Sequence, residues 1–309
     1  MKIQTPGIGL SIRQLICLLT VSVLFTGCAA TEANDIDATS QHARHTSGLA
    51  DVIYGHKDGM ALTYDVLSPE HPNGAGVIYM VSGGWFSVWK PVPERSVDFQ
   101  GLLAKGFTVF AVHHGSAPRF NVPEAVTDVR AAVRHIKQHA PEYGVDNKRL
   151  GLFGGSAGGH LSLVLGLSAE TMPDVRPHGP RNFEPKYIAD PKTDASVAAI
   201  VAYYPPVDLR DRVGANERYP ALNFDPADAA AISPILFVSA DDPPTLLVHG
   251  TADKVVPLQD SERLTREFER VGVTHKLIVI DDGNHGFRNP VHRKQATDAM
   301  IAWFGEKLN

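Results

Sequence analysis

The chain has 309 residues, of which 29 are lysine or arginine and 34 are aspartate or glutamate, giving a net charge of −5 at pH 7. This weakly acidic balance argues against a nucleic-acid-binding protein, which would carry a basic face. The length is sufficient for one domain with a sizeable hydrophobic core.

The amino terminus carries an apolar segment with a basic flank. Lys2 and Arg13 precede the apolar run 15–25, a pattern typical of a secretory signal peptide and too short to span a bilayer comfortably. We therefore expect residues 1–27 to be a signal peptide. The next residue, Cys28, ends a sequence that resembles a bacterial lipobox, so Cys28 is the predicted lipidation site.

These features predict an exported protein anchored in the bacterial cell envelope as a membrane lipoprotein. If Cys28 is not lipidated, the expectation becomes a secreted or periplasmic protein. The other cysteine, Cys17, leaves with the signal peptide, so the mature chain has no intramolecular disulfide. Removal of the signal peptide also removes Lys2 and Arg13. This leaves 27 basic residues (29 minus 2) against 34 acidic ones, a net charge of −7.

Residues 28–48 are polar and lack an apolar period, which predicts a flexible tether before a folded domain at 49–309. In that domain, 51–54 and 61–67 read as a first strand pair with a turn at 56–59. Strands and helices then alternate, with strands at 107–112 and 197–204 and a helix that begins near Pro123. This alternation predicts an α/β fold with a mostly parallel sheet and helices on both faces.

A strand over 76–81 runs into the turn Ser82-Gly83-Gly84-Trp85. Without a Cβ, Gly83 and Gly84 allow their backbone N–H groups to approach a reacting carbonyl closely. We therefore predict that they donate to an oxyanion, with an ordinary tight turn as the alternative. The third predicted donor is Ala157, the residue after a candidate nucleophile.

That candidate nucleophile is Ser156. The sequence Gly154-Gly155-Ser156-Ala157-Gly158 follows the apolar run 150–153 and precedes an apolar segment at 161–167. A Gly-x-Ser-x-Gly pattern between a strand and a helix is typical of a nucleophile elbow, in which a strained serine exposes its hydroxyl. The pattern alone is weak, because a glycine-rich turn with a helix-capping serine would look the same.

Two loops downstream of Ser156 supply candidate catalytic partners for it. Asp253 follows the strand 245–248, and His285 follows the strand 276–280. A neutral imidazole must take the serine proton and return it to the leaving group, and a carboxylate must orient that imidazole. The order Ser156, Asp253, His285 therefore predicts a catalytic triad, with Asp281 and Asp282 as the weaker alternatives for the acid.

Two irregular stretches interrupt the alternation, at 170–193 and 205–240. We expect them to form a small lid over the site, and external loops far from the serine are the alternative. Three aromatic residues after the oxyanion turn are candidates for the pocket wall or for the core: Trp85, Phe86 and Trp89.

With these residues assigned, the chain from Asp51 to Leu308 resembles serine esterases of the α/β-hydrolase superfamily, namely the hormone-sensitive-lipase-like and carbohydrate (feruloyl/acetyl) esterase groups. Further matching stretches are 113–118, Asp128, 144–146 and 241–244. One departure concerns the oxyanion loop, where these families commonly carry His-Gly-Gly-Gly-Trp. Here Val81 and Ser82 replace the histidine and the first glycine, so the hydrogen bonds that support the loop must differ.

The resemblance and the residues together predict a serine carboxylesterase that hydrolyses short-acyl esters through an acyl-enzyme, with a small-molecule ester or an acylated carbohydrate as substrate. Neither a cofactor nor a metal is expected. Nucleic acid is not an expected partner, and the membrane is reached only through the lipid on Cys28. The alternatives are a serine peptidase of the prolyl-oligopeptidase type and a non-catalytic binding module on the same fold.

Overall fold

A computed structural model describes residues 48–168 and 185–309. The predicted signal peptide, Cys28 and all of the predicted tether except its last residue lie outside the described residues. The folded domain is predicted to begin at residue 49, and its first strand begins at Gly48.

A nine-stranded sheet organises the domain. In chain order the strands are β1 Gly48–Lys57, β2 Met60–Leu67, β3 Gly76–Met80, β4 Thr108–Val112, β5 Leu150–Gly155, β6 Lys186–Tyr187, β7 Ala199–Tyr203, β8 Thr245–Gly250 and β9 His275–Ile280. Their order across the sheet is β6-β1-β2-β4-β3-β5-β7-β8-β9. The pairs β6/β1, β1/β2 and β2/β4 are antiparallel, and the remaining pairs are parallel.

The α-helices are α1 Val92–Asp98, α2 Gln100–Leu103, α3 Val122–His139, α4 Ala157–Ser168, α5 Leu258–Val271 and α6 Pro290–Lys307. Short 3₁₀ turns occur at Ala140–Tyr143, Pro220–Leu222, Pro226–Asp228, Ala230–Ile232 and Pro234–Leu236. Helix α3 begins with a capping box in which the Asn121 side chain accepts from the Glu124 N–H and the Glu124 side chain accepts from the Asn121 N–H.

Successive residues along a strand point to opposite faces of the sheet, and here both faces are apolar. In β3, Ile78 packs into a core with α3 and α4, whereas its neighbour Val77 packs into a second core with α2 and α6. In β7, Ile200 similarly packs with α4 and α5. The sheet is therefore covered by helices on both sides, which confirms the predicted fold class.

Of the predicted lid segment 170–193, the structure describes residues 185–193. They contain the two-residue strand β6, which pairs with β1 at the edge of the sheet. The apolar period of this segment is too short to predict that strand. Within the described ranges, we find no helix with the length and hydropathy needed to cross a membrane.

Candidate active site

The turn between β5 and α4 places Ser156 in the left-handed region, with φ at 54°. A Cβ on Gly154 would lie 2.3 Å from the Gly158 carbonyl, and a Cβ on Gly158 would lie 2.7 Å from the Met80 carbonyl oxygen. Glycine at both positions allows the strand and the helix to approach this closely. The strained serine is partly exposed to a pocket, as expected of a nucleophile elbow.

The structure brings the three predicted triad residues together. The Ser156 Oγ lies 2.9 Å from the His285 Nε2, and the His285 Nδ1 lies 2.7 Å from the Asp253 Oδ2. Because a carboxylate only accepts, the Nδ1 carries the hydrogen of a neutral His285 ring. The Nε2 then has a lone pair for the serine proton, which is the arrangement that general-base catalysis needs.

Asp253 is almost fully buried, with 1% of its side chain exposed. Burial alone would raise its pKa, but hydrogen bonds from His249, His285 and the Val255 and Val256 N–H groups outweigh burial and hold the pKa well below its usual range. The carboxylate is therefore ionised at neutral pH. The alternative acids, Asp281 and Asp282, are exposed and contact Thr251.

His249 is a residue of this site that the sequence reasoning missed. It is fully buried, and its Nε2 lies 3.0 Å from the Val256 carbonyl oxygen and 3.5 Å from the Asp253 Oδ2. Since the carbonyl only accepts, the Nε2 carries a hydrogen, and the Ser261 hydroxyl can donate to the Nδ1 at 2.8 Å. His249 thus lies beside the same Asp253 oxygen that His285 contacts. Its place in β8, four residues before Asp253, was the available signal.

The predicted oxyanion donors differ in their availability. The Gly83 N–H donates to the Phe86 carbonyl at 3.0 Å, whereas the Gly84 N–H has no acceptor among the described residues. Ala157 is the first residue of α4, so its N–H has no acceptor within the helix. Gly84 and Ala157 are therefore free to donate to an oxyanion, and Gly83 would have to share its hydrogen.

The support of the oxyanion loop comes from His114, which follows β4. Its Nδ1 lies 2.9 Å from the Gly115 carbonyl oxygen, and its Nε2 lies 2.9 Å from the Ser82 Oγ. Burial lowers the pKa of His114 to about 4, so the ring is neutral at pH 7. The Nδ1 must then donate to the carbonyl, and the Ser82 hydroxyl must donate to the Nε2. Ser82, which stands where the resembling families carry a glycine, thus links the oxyanion loop to His114.

A pocket with a volume of ≈ 910 Å³ opens in front of Ser156 and His285. Phe86 lines it, but Trp85 packs in the core against His160 and Trp89 is 57% exposed outside it. Of the two predicted alternatives, the pocket wall holds for Phe86 and the core holds for Trp85, whereas Trp89 lies in neither. The turn at Gly84 and Trp85, both with positive φ, sets these directions, and aromatic spacing alone does not specify that turn.

Interlocked aromatic rings form one wall of the pocket. The centroid distance is 5.4 Å between Tyr79 and Phe153, 4.9 Å between Phe153 and Tyr203, and 5.8 Å between Tyr203 and Phe287. Tyr204 continues this row, because its ring centroid lies 4.9 Å from that of Phe287. The Tyr204 ring also lies 4.6 Å from the ring of His285. The Phe153–Tyr203 and Tyr203–Phe287 contacts are edge-to-face, and contacts of this kind stabilise a rigid wall.

The segment 205–240 also contributes to the lining of the pocket. Arg218 and Tyr219 line it, and a Cβ on Gly84 would lie 3.0 Å from the Tyr219 Cδ1. This contact places part of the segment beside the oxyanion loop, as expected of a lid. In the described part of the other predicted lid segment, 185–193, Lys186 and Tyr187 form β6 and pair with β1.

Comparisons with known proteins identify relatives of this chain. Esterase LipQ of Mycobacterium tuberculosis is 26% identical over 259 residues, which cover 80% of this chain and 59% of that protein. An acetylxylan esterase of Xylanibacter ruminicola is 25% identical, over 71% of this chain and 42% of that protein. This chain thus spans less than two thirds of the length of these curated relatives.

Solved structures agree with this relationship. A truncated carbohydrate esterase from gut microbiota superposes with a TM-score of 0.68 at 26% identity, covering 85% of this chain and 96% of that one. The BD-FAE family model matches residues 64–268, which is more than half of the 309 residues. The chain belongs to the BD-FAE family and has the α/β-hydrolase fold of the esterases it resembles.

Proposed function

We propose that this protein is a serine carboxylesterase that cleaves short-acyl esters, with an acylated carbohydrate as its substrate. The observation that carries the proposal is the hydrogen-bonded row Ser156, His285 and Asp253, which opens into a pocket beside the N–H groups of Gly84 and Ala157. These groups supply a nucleophile, a base and oxyanion donors in one place. Relatives named as esterases on the same fold support it.

In the acylation step, the Ser156 Oγ attacks the ester carbonyl carbon while the His285 Nε2 takes the hydroxyl proton. The carbonyl oxygen becomes an oxyanion, to which Gly84 and Ala157 donate. The Asp253 carboxylate stabilises the imidazolium through the Nδ1–H without taking that proton.

Collapse of the tetrahedral intermediate breaks the bond to the alcohol oxygen, and His285 gives that oxygen its proton. The acyl group then remains on Ser156. A water molecule attacks it next, with the same imidazole as base, and a second collapse releases the acid and restores the hydroxyl.

The aromatic wall supports a short acyl group. The rings of Tyr79, Phe153, Tyr203 and Phe287 contact one another, so none can move without disturbing its neighbours. A long chain would have to leave this rigid space for water, and each methylene that finds no apolar surface forgoes about 0.8 kcal/mol.

The size of the pocket supports a carbohydrate alcohol. A volume of ≈ 910 Å³ lies in the range of sites that bind ligands far larger than an acetyl group. Most of this space therefore serves the alcohol, and its rim carries polar side chains from Asp98, Arg218 and Arg293. Relatives include an acetylxylan esterase and a carbohydrate esterase.

We further propose that the enzyme works at the bacterial cell envelope as a lipoprotein anchored through Cys28. The proposal rests on the signal-like run 15–25 and on the lipobox-like sequence that ends at Cys28. The polar stretch at 28–48 would act as a tether that allows the catalytic domain to lie at a distance from the membrane.

The decisive experiment compares wild type with Ser156→Ala on p-nitrophenyl acetate and on acetylated xylan. The variant should lose more than about a hundredfold in turnover, because the residual catalysis of a triad without its nucleophile is small. Its circular dichroism spectrum should match that of wild type. A variant that keeps its turnover would overturn the assignment, and wild type that cleaves peptides instead of both esters would favour the peptidase.

A further inference from the structure

Two arginines line the active-site pocket without a carboxylate partner. Arg218 comes from the segment 205–240, and Arg293 comes from the first turn of α6. Both side chains are exposed, and among the described residues neither guanidinium forms an ion pair. The Arg218 guanidinium lies over the Tyr219 ring, and its central carbon is 5.3 Å from the ring centroid.

Outside the pocket, Arg266 and Arg288 are likewise exposed and form no ion pair among the described residues, whereas five other arginines each contact a carboxylate within 3.2 Å. They are Arg119, Arg210, Arg212, Arg263 and Arg270. The carboxylate that lines the pocket, Asp98, is itself paired with Lys90 at 3.2 Å. The pocket thus presents two positive charges that the described protein groups do not neutralise.

The surroundings place Arg293 near the catalytic base. Its charge acts on Tyr204, where burial first raises the phenol pKa and the charge of Arg293 opposes that rise. The Tyr204 ring lies 4.6 Å from the His285 ring. Since His285 protonates the departing alcohol, Arg293 lies near the base that acts on the alcohol part of the ester.

Arg218 lies on the side of the oxyanion loop, beside Tyr219, which packs against Gly84. The two arginines therefore come from different segments of the chain and line the same pocket.

We propose that Arg218 and Arg293 bind an anionic group on the alcohol part of the substrate, and that the carboxylate of an acidic sugar is this group. The proposal rests on the esterase activity proposed above and specifies its substrate class. Guanidinium groups suit it because their planar donors match the two oxygens of a carboxylate.

The test uses two substrates that differ in one group: an acetyl ester of methyl glucuronoside and the same ester of methyl glucoside. The first carries a carboxylate where the second carries a hydroxymethyl group, and the scissile bond is identical. We expect kcat/KM to be at least about tenfold higher for the uronoside, the effect of one or two charge-assisted hydrogen bonds. Added salt should reduce this ratio by screening.

Variants assign the preference to the two arginines. In Arg218→Gln and Arg293→Gln the ratio of the two kcat/KM values should fall toward one, and the double variant should fall furthest. The matched control, Arg270→Gln, removes an exposed arginine that pairs with Glu267 outside the pocket. It should keep the wild-type ratio. Each ratio is measured on a single preparation, so partial misfolding of a variant cancels.

A measurement on wild type alone adds an independent result. Free methyl glucuronoside should inhibit p-nitrophenyl acetate hydrolysis at a concentration at least about tenfold lower than methyl glucoside does. Equal inhibition, or a substrate ratio near one while p-nitrophenyl acetate is cleaved, overturns the anion site and leaves the esterase intact. If no ester is hydrolysed, the proposed function itself fails.

Discussion

The oxyanion loop depends on one side-chain hydrogen bond that can be removed by a single substitution. Ser82→Ala deletes the hydroxyl that donates to the His114 Nε2 at 2.9 Å. His114 is buried, and its neutral ring then keeps a lone pair that no donor satisfies. An unsatisfied buried acceptor costs about 1–3 kcal/mol, so the free energy of unfolding should fall by that amount.

The effect on turnover is smaller than the loss of an oxyanion donor, which costs about 10²–10³ in kcat. In Ser82→Ala the donors of Gly84 and Ala157 remain. The backbone of the loop also stays attached, because the Gly158 N–H donates to the Ser82 carbonyl at 3.2 Å and the Val81 N–H to the Val112 carbonyl at 3.0 Å. We therefore expect a loss of about tenfold in kcat from imprecise placement of the donors.

The assay is steady-state hydrolysis of p-nitrophenyl acetate with urea unfolding on the same samples. KM should change little, because the donors act on charge that develops in the transition state. Ser96→Ala is the matched control, since it removes another buried hydroxyl, which donates to the Val92 carbonyl at 2.8 Å in α1. If both variants lose the same kcat, or if Ser82→Ala changes only KM, the anchoring role is refuted.

Three further predictions concern location, chain length and acid stability. Cys28→Ser should move the protein from the membrane fraction to the soluble fraction, and an unmodified mass of wild-type protein would contradict this. On p-nitrophenyl esters from acetate to palmitate, kcat/KM should be highest at acetate to butyrate, and a maximum at octanoate or longer would indicate a lipase. The lowered pKa of Asp253 stabilises the fold above the usual carboxyl pKa of about 3.9, and this contribution is lost as the pH falls from there through the folded pKa. Urea unfolding should therefore show a smaller loss of stability between pH 5 and pH 3 in Asp253→Asn than in wild type, and equal losses would count against the ionised acid.

Much of the fold follows from local patterns in the sequence. Apolar runs such as 150–153 and 245–248 are long enough for buried strands, and the segment that forms α5 is amphipathic. The glycines around Ser156 mark the elbow because any side chain at 154 or 158 would collide with backbone. These features depend on neighbours within a few residues, so a single sequence displays them.

The hydrogen bonds between distant segments could not be read in the same way. His114 meets Ser82 only because β3 and β4 are adjacent in the sheet, and 32 residues separate the two side chains. The sequence showed that Val81 and Ser82 differ from the residues usual in the related loops. It did not identify the side chain that forms a hydrogen bond with the oxyanion loop here. His113 and His114 likewise carried no local sign that one of them holds a loop.

The acid of the site shows why its environment matters as much as its identity. Asp253 receives hydrogen bonds from the Val255 and Val256 N–H groups on one oxygen, and His285 and His249 lie on the other. Both oxygens are thus held, so the carboxylate cannot rotate away from the imidazole during the reaction. Asp281 and Asp282 are closer to His285 in sequence but sit exposed beside Thr251. Distance along the chain is therefore a poor guide to the acid, and the carboxyl end of a buried strand is a better one, because it combines low exposure with a fixed set of donors.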